Sequence, residues 1–118
     1  LAANLARALR SGDNAAVAIT RAKAPFEIVH VSPRWCELCG FDALDAVGAT
    51  FRLIQGPETD KPAIRVAVAR LLATGSPAKV RLTNYRCGGE EFVTDVTMDV
   101  VRDGKGEVAF LAGWSKLV

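Results

Sequence analysis

Three period-two runs in the last third of the chain leave little freedom of architecture. Residues 78–86, 90–102 and 107–117 are rich in valine, leucine, phenylalanine and threonine, and only short glycine turns separate them: Cys87-Gly88-Gly89 and Asp103-Gly104-Lys105-Gly106. Connections that short carry no crossover, so the runs predict consecutive antiparallel strands. Alternation then sorts their side chains by face. Val80, Leu82 and Asn84 share one face of the first run, opposite Lys79, Arg81 and Thr83; in the second, Thr94, Val96 and Met98 oppose Asp95, Thr97 and Asp99. The apolar face points to a core, with Asn84 and Thr94 as polar exceptions on it. A buried amide needs a hydrogen-bond partner, and a ligand, a water or a neighbouring backbone group are the candidates for Asn84. In the last run Leu111, Gly113 and Ser115 face inward, which leaves Phe110, Ala112 and Trp114 as an apolar row on the outer face. Such a row requires cover.

Upstream, Leu1, Leu5 and Leu9 recur at spacing four and Gly12 follows, which predicts a helix over residues 1–10. Residues 15–20 and 26–31 predict two strands on either side of Pro25. Ser32-Pro33 opens a short helix that Gly40 closes, and residues 42–47 predict a further turn with Asp42 as cap. Residues 57–73 predict a longer helix, with Ile64, Val68, Leu71 and Leu72 along one side and Thr74-Gly75-Ser76-Pro77 after it. The sum is an α+β domain over residues 13–118, preceded by a flanking helix over 1–12. That helix is the natural cover for the outer row, within one chain or across a dimer, with Leu5 and Leu9 meeting Phe110, Ala112 and Trp114.

Composition narrows the class. Half of the 118 residues are hydrophobic, so a core can form and disorder is not expected. The formal charge is +2 and the basic residues are scattered, which leaves no footprint for nucleic acid. No apolar run reaches the length of a membrane span and no secretory leader is evident. Three cysteines, an odd number, fit a reducing compartment, so the expectation is a cytoplasmic domain. The start at Leu1 suggests a domain cut from a longer signalling chain, whose effector lies elsewhere.

Reactive side chains point nowhere in particular. Trp35-Cys36-Glu37-Leu38-Cys39 has the W-C-x-x-C spacing of thiol oxidoreductases, but Gly40 ends the helix such a site would need. Burial as small hydrophobes is the ordinary role for these two thiols. Cys36, Cys39, Cys87 and His30 match no zinc spacing, and Cys87 falls in a hairpin turn expected away from the first helix. Glu90, Glu91, Asp95 and Asp99 read as solvated charges. No nucleophile and base pair stands out, so no enzyme is expected.

One segment carries more. Gly48-Ala-Thr50-Phe51-Arg52-Leu-Ile-Gln55-Gly-Pro-Glu-Thr-Asp60 resembles G-R-N-C-R-F-L-Q-G-P-E-T-D, the signature of LOV domains, the flavin-binding blue-light branch of the PAS sensor family. Residues 35–41 are similar to that family's F-L-E-L-T-G-Y, Asn84-Tyr85-Arg86 to its N-Y-R, and residues 101–108 to its R-D-x-x-G-E-V hairpin. The resemblance runs from about Val17 onward and implies the PAS fold, a five-stranded antiparallel sheet with short helices on one face and the N-terminal helix on the other. It also implies a site. The family's cysteine, which attacks the photoexcited flavin, stands at Phe51, so a LOV-like module without adduct photochemistry is implied. Of the family's flavin contacts Arg52, Gln55 and Asn84 persist, while Thr50, Thr94 and Ser115 replace two asparagines and a glutamine, and Val68 replaces a phosphate-binding arginine. Each lost neutral hydrogen bond costs about 1 kcal/mol, and each unpaired buried edge about 1–3. At about 1.4 kcal/mol per decade, the losses weaken FMN by several decades. The expectation is therefore a pocket filled by its own side chains, with Phe51 as plug and no cofactor; FMN is the alternative. The expected role is dimerisation or regulatory contact through the outer sheet face and N-terminal helix, toward a second copy and an effector domain. A flavin or small-molecule sensor is the alternative. Neither nucleic acid nor membrane is an expected partner.

Overall fold

Strand register is set outward from the two glycine turns. In a computed structural model, which describes residues 15–118, the Arg86 N–H donates to the Glu90 carbonyl and the Asp103 N–H to the Glu107 carbonyl, each at 2.8 Å. Gly89 and Gly106 take the left-handed conformation that closes each turn, with φ of 89° and 81°. These turns pair β3 (Ala78–Tyr85) with β4 (Glu91–Arg102), and β4 with β5 (Val108–Leu117). The N-terminal hairpin, β1 (Ala16–Arg21) and β2 (Ile28–Val31), adds to the free side of β5. The result is one five-stranded antiparallel sheet in the order β2-β1-β5-β4-β3. The helix expected over residues 1–10, with Leu5 and Leu9, lies outside the described residues.

The helices are placed by their caps. Ser32 Oγ accepts the Trp35 N–H (3.2 Å) and the Val17 N–H (2.9 Å) and donates to the Ala15 carbonyl, so one hydroxyl joins β1 to the start of α1 (Pro33–Cys39). Gly40, φ 77°, ends it as expected. A short α2 (Ala43–Ala46) and a 3-10 turn (Phe51–Ile54) follow, and Thr50 Oγ1 caps the latter. The long helix α3 is Lys61–Thr74, so its expected start at residue 57 needs correction. Asp60 Oδ1 accepts the Ala63 N–H at 3.0 Å and sets the N-terminus, while Thr59 folds back on Gly56 in a separate turn. The helix buries Ala67 and Leu71 and leaves Leu72 40% exposed, so Leu72 does not belong to the packed side. Among the described residues no helix is long and apolar enough to cross a membrane.

Both sheet faces carry apolar clusters. On the inner face, under the helices, Ala16, Ala18, Ile28, Trp35, Leu38 and Phe92 form one cluster, and Leu71, Val100 and Leu111 another. On the outer face Val17, Ile19, Val101 and Ala112 are buried, with Phe110 and Trp114 packed beside them. The alternation of β5 is as its sequence predicts.

Candidate functional site

Between the inner sheet face, the 3-10 turn and α3 lies a cavity of about 320 Å³. That size lies within the range of about 300–1,000 Å³ typical of small-molecule sites. The expectation of a self-filled pocket plugged by Phe51 therefore needs correction. Phe51 stands in the wall, packed against the inner cluster beside Leu53 and Cys36. The space exists because β5 presents its smallest residues there. Gly113 faces Met98 and Ser115 faces Val96 across the β4–β5 ladder, and a Cβ added at Gly113 would already touch Val96 Cγ1 at 3.7 Å.

The walls are apolar: Val80, Leu82, Val96, Met98 and Leu111 from the sheet, and Ile54, Ile64 and Val68 from the helical side. Among the candidate contact residues, Thr50, Phe51, Arg52, Gln55, Asn84 and Ser115 are brought together around the cavity. Thr94 is not. It is fully buried, and its Oγ1 accepts a 3.2 Å hydrogen bond from the Asn84 amide. The two polar exceptions of the inner face thus satisfy each other, which none of the three candidate partners of Asn84 anticipated. Arg52 is exposed and makes no ion pair among the described residues. Other wall residues carried no signal as cavity residues in the sequence, Trp35 and Phe26 among them. Phe26 has φ 62°, which a bulky side chain rarely adopts. The proline before it marks a turn, but only the tertiary structure turns that turn toward the cavity.

The donor set bears on the cofactor that the resemblance implies. Apolar walls suit a fused aromatic ring, and Asn84, Ser115 and Gln55 offer hydrogen-bonding groups to its edge, with Arg52 available to an anion. That set fits a flavin ring held by fewer polar contacts than the LOV pattern supplies.

None of the chain's three cysteines lines the cavity. Cys39 is buried, and its thiol is pushed up to about 12 chiefly by that burial. Burial and the neighbouring Asp42 charge also raise Cys36. Cys87 does not lie away from the first helix, contrary to expectation, because its N–H donates to the Cys39 carbonyl at 3.2 Å. Arg86 holds the hairpin there. Its Nε donates to the Leu38 carbonyl at 2.8 Å, it pairs with Glu90, and its guanidinium lies 4.4 Å from the Phe92 ring centre. Among the described residues no group of three His, Cys, Asp or Glu side chains is placed to hold a metal ion. On the outer face Arg81 forks onto Asp95 at 2.8 and 3.1 Å, and that hydrogen bonding holds the Asp95 carboxyl below the usual carboxylate range.

A family model described as a PAS domain matches residues 14–114. Phototropin-1A of Oryza sativa subsp. japonica is 28% identical over 86 residues, 73% of this chain and 9% of that protein. A blue-light-activated histidine kinase of Brucella ovis is 30% identical over 81 residues, 69% of this chain and 16% of the kinase. The chain thus spans a small part of the curated relatives it matches. Among solved structures, one reported as "Flavin Analogue Sheds Light on Light-Oxygen-Voltage Domain Mechanism" superposes with a TM-score of 0.82 at 30% identity, covering 98% of this chain and 84% of that one. The dark structure of the blue-light photoreceptor Aureochrome1 LOV gives 0.80 at 29% identity, with coverages of 97% and 82%.

Proposed function

The chain belongs to the PAS domain family, with light-oxygen-voltage domains among its relatives, and we propose that it is a non-catalytic sensory module of a signalling protein whose cavity holds a flavin-class ligand without covalent attachment. The observation that carries this reading is the 320 Å³ apolar cavity ringed by Arg52, Gln55, Asn84 and Ser115. A flavin, when bound, supplies absorption of blue light and one-electron redox chemistry. The chain's own residues bind and enclose it. Val80, Leu82, Val96 and Met98 would lie along one face of the ring, Ile54 and Val68 along the other, and Arg52 would meet the phosphate. Phe51, in place of a cysteine, and a cavity lining that includes none of the three cysteines support non-covalent holding. The names of the relatives, a blue-light-activated kinase and a phototropin, support light as the stimulus.

A second reading rests on the outer face. The row Phe110, Ala112 and Trp114 alternates along β5 with the cavity residues Leu111, Gly113 and Ser115, so one strand touches both the ligand space and the outer apolar surface. Ligand state would pass through β5 to a second copy or to an effector helix packed on that row.

The test is direct. Protein purified from flavin-rich cells, or titrated with FMN, should show structured blue absorption and quenched flavin fluorescence. It should show no lasting bleaching under blue light. Colourless protein that leaves FMN fluorescence unchanged on titration overturns the flavin reading, and a light-driven adduct overturns the non-covalent one.

A further inference from the structure

β3 forms one edge of the sheet, and its hairpin fixes which backbone groups face outward. Because the Arg86 N–H bonds the Glu90 carbonyl, alternation makes Asn84, Leu82 and Val80 the residues that exchange hydrogen bonds with Phe92, Thr94 and Val96. Thr83, Arg81 and Lys79 then turn their N–H and C=O groups away from the sheet. Thr59 agrees independently, since its Oγ1 donates to the Thr83 carbonyl at 2.7 Å from outside. The backbone groups of Lys79 and Arg81 meet no partner beyond that edge among the described residues.

Beside the edge, a groove of about 750 Å³ runs between β3 and α3. Its apolar lining includes Ala63 and Val66, and Val66 is 57% exposed. Its charges are unequal. Arg70 and Lys79 line it without an ion pair among the described residues, whereas its one acid, Asp60, already accepts the Ala63 N–H. The neighbouring Arg81 is held by Asp95.

We propose that this edge accepts an extended acidic segment of a partner protein as an additional strand. The segment's main chain bonds Lys79 and Arg81, its alternate apolar side chains lie over Val66 and Ala63, and its carboxylates, on the strand's opposite face, meet Lys79. Charge selects the occupant. A second copy of β3 in the same place would set Lys79 and Arg81 against their own kind, a cost that charged edges impose on self-pairing. An acidic strand meets the same lysine as an attraction.

The probe is a synthetic peptide of alternating Glu and Val, capped at both ends, compared with the Lys/Val peptide of equal length by fluorescence anisotropy. The acidic peptide should bind at least about tenfold tighter. Lys79→Pro removes an outward N–H that the sheet does not use, so it should abolish binding with far-UV circular dichroism unchanged. Lys79→Glu should reverse the preference between the peptides, and it carries the test if the proline variant fails to fold. No saturable binding of the acidic peptide at millimolar concentration, or equal affinity for both peptides, overturns the proposal. Self-association that Lys79→Pro abolishes also overturns it, in favour of a second copy as occupant.

Discussion

Asn84 and Thr94 place an amide and a hydroxyl on the inner face of the sheet and satisfy each other there. Removing one partner strands the other, so Thr94→Val should cost about 1–3 kcal/mol, read from urea denaturation midpoints. Adding Asn84→Leu to that variant should recover part of the loss. A double variant that merely sums two single losses would show that the two groups do not depend on each other. Cys39 makes a different forecast. Its folded pKa is raised from 9.0 to about 12 chiefly by burial, so the folded state keeps a proton that the unfolded chain releases. The stability tied to that proton is complete below pH 9 and falls as pH rises toward about 12. Cys39→Ala should flatten this slope in melting temperature against pH. At neutral pH a thiol reagent should label the exposed Cys87 and spare Cys39 while the protein is native.

At the scale of elements, the segment before α3 is held by contact between a turn and a ring. A Cβ at Gly56 would fall 2.3 Å from Tyr85 Cε1, and the Tyr85 hydroxyl accepts the Glu58 N–H at 3.0 Å. Gly56→Ala should push the ring away, break that bond and lower the melting temperature. Gly88→Ala, with open space around it, should be close to neutral. The same region shows where reading from sequence stops. Helix α1 was legible because Ser32, Pro33 and Gly40 are local signals, as were the three C-terminal strands, whose turns and alternation are local too. The start of α3 was not, because two prolines compete there. Pro57 offers one N-terminus and Pro62 another, and the Asp60 side chain decides for the second. The cavity was illegible for a related reason. Its residues could be aligned with a ligand site, but its volume depends on Gly113 falling opposite Met98, which is a matter of register. The approach of Cys87 to Cys39 likewise arises only when the β3–β4 hairpin docks on α1.

At the scale of the molecule, the two apolar faces of β5 make a prediction about assembly. Trp114→Asp places a charge in the outer row, and light scattering should show a dimeric wild type and a monomeric variant. A monomeric wild type, or a variant of unchanged mass, would remove that row as a dimer surface. The overall architecture was legible because five strands, two short helices and one longer helix have few ways to share a core. The outer row of β5 could be recognised as apolar, but alternation alone does not name what packs on it. The strand order has a temporal side. β5 lies at the centre of the sheet although it comes last in sequence, with β1 on one flank and β4 on the other. While the ribosome is still making residues 103–117, β1 has no neighbour on that flank and the growing chain holds two unjoined hairpin halves. The sheet closes only after synthesis has passed its middle strand, so the two hairpins cannot join until β5 has been made.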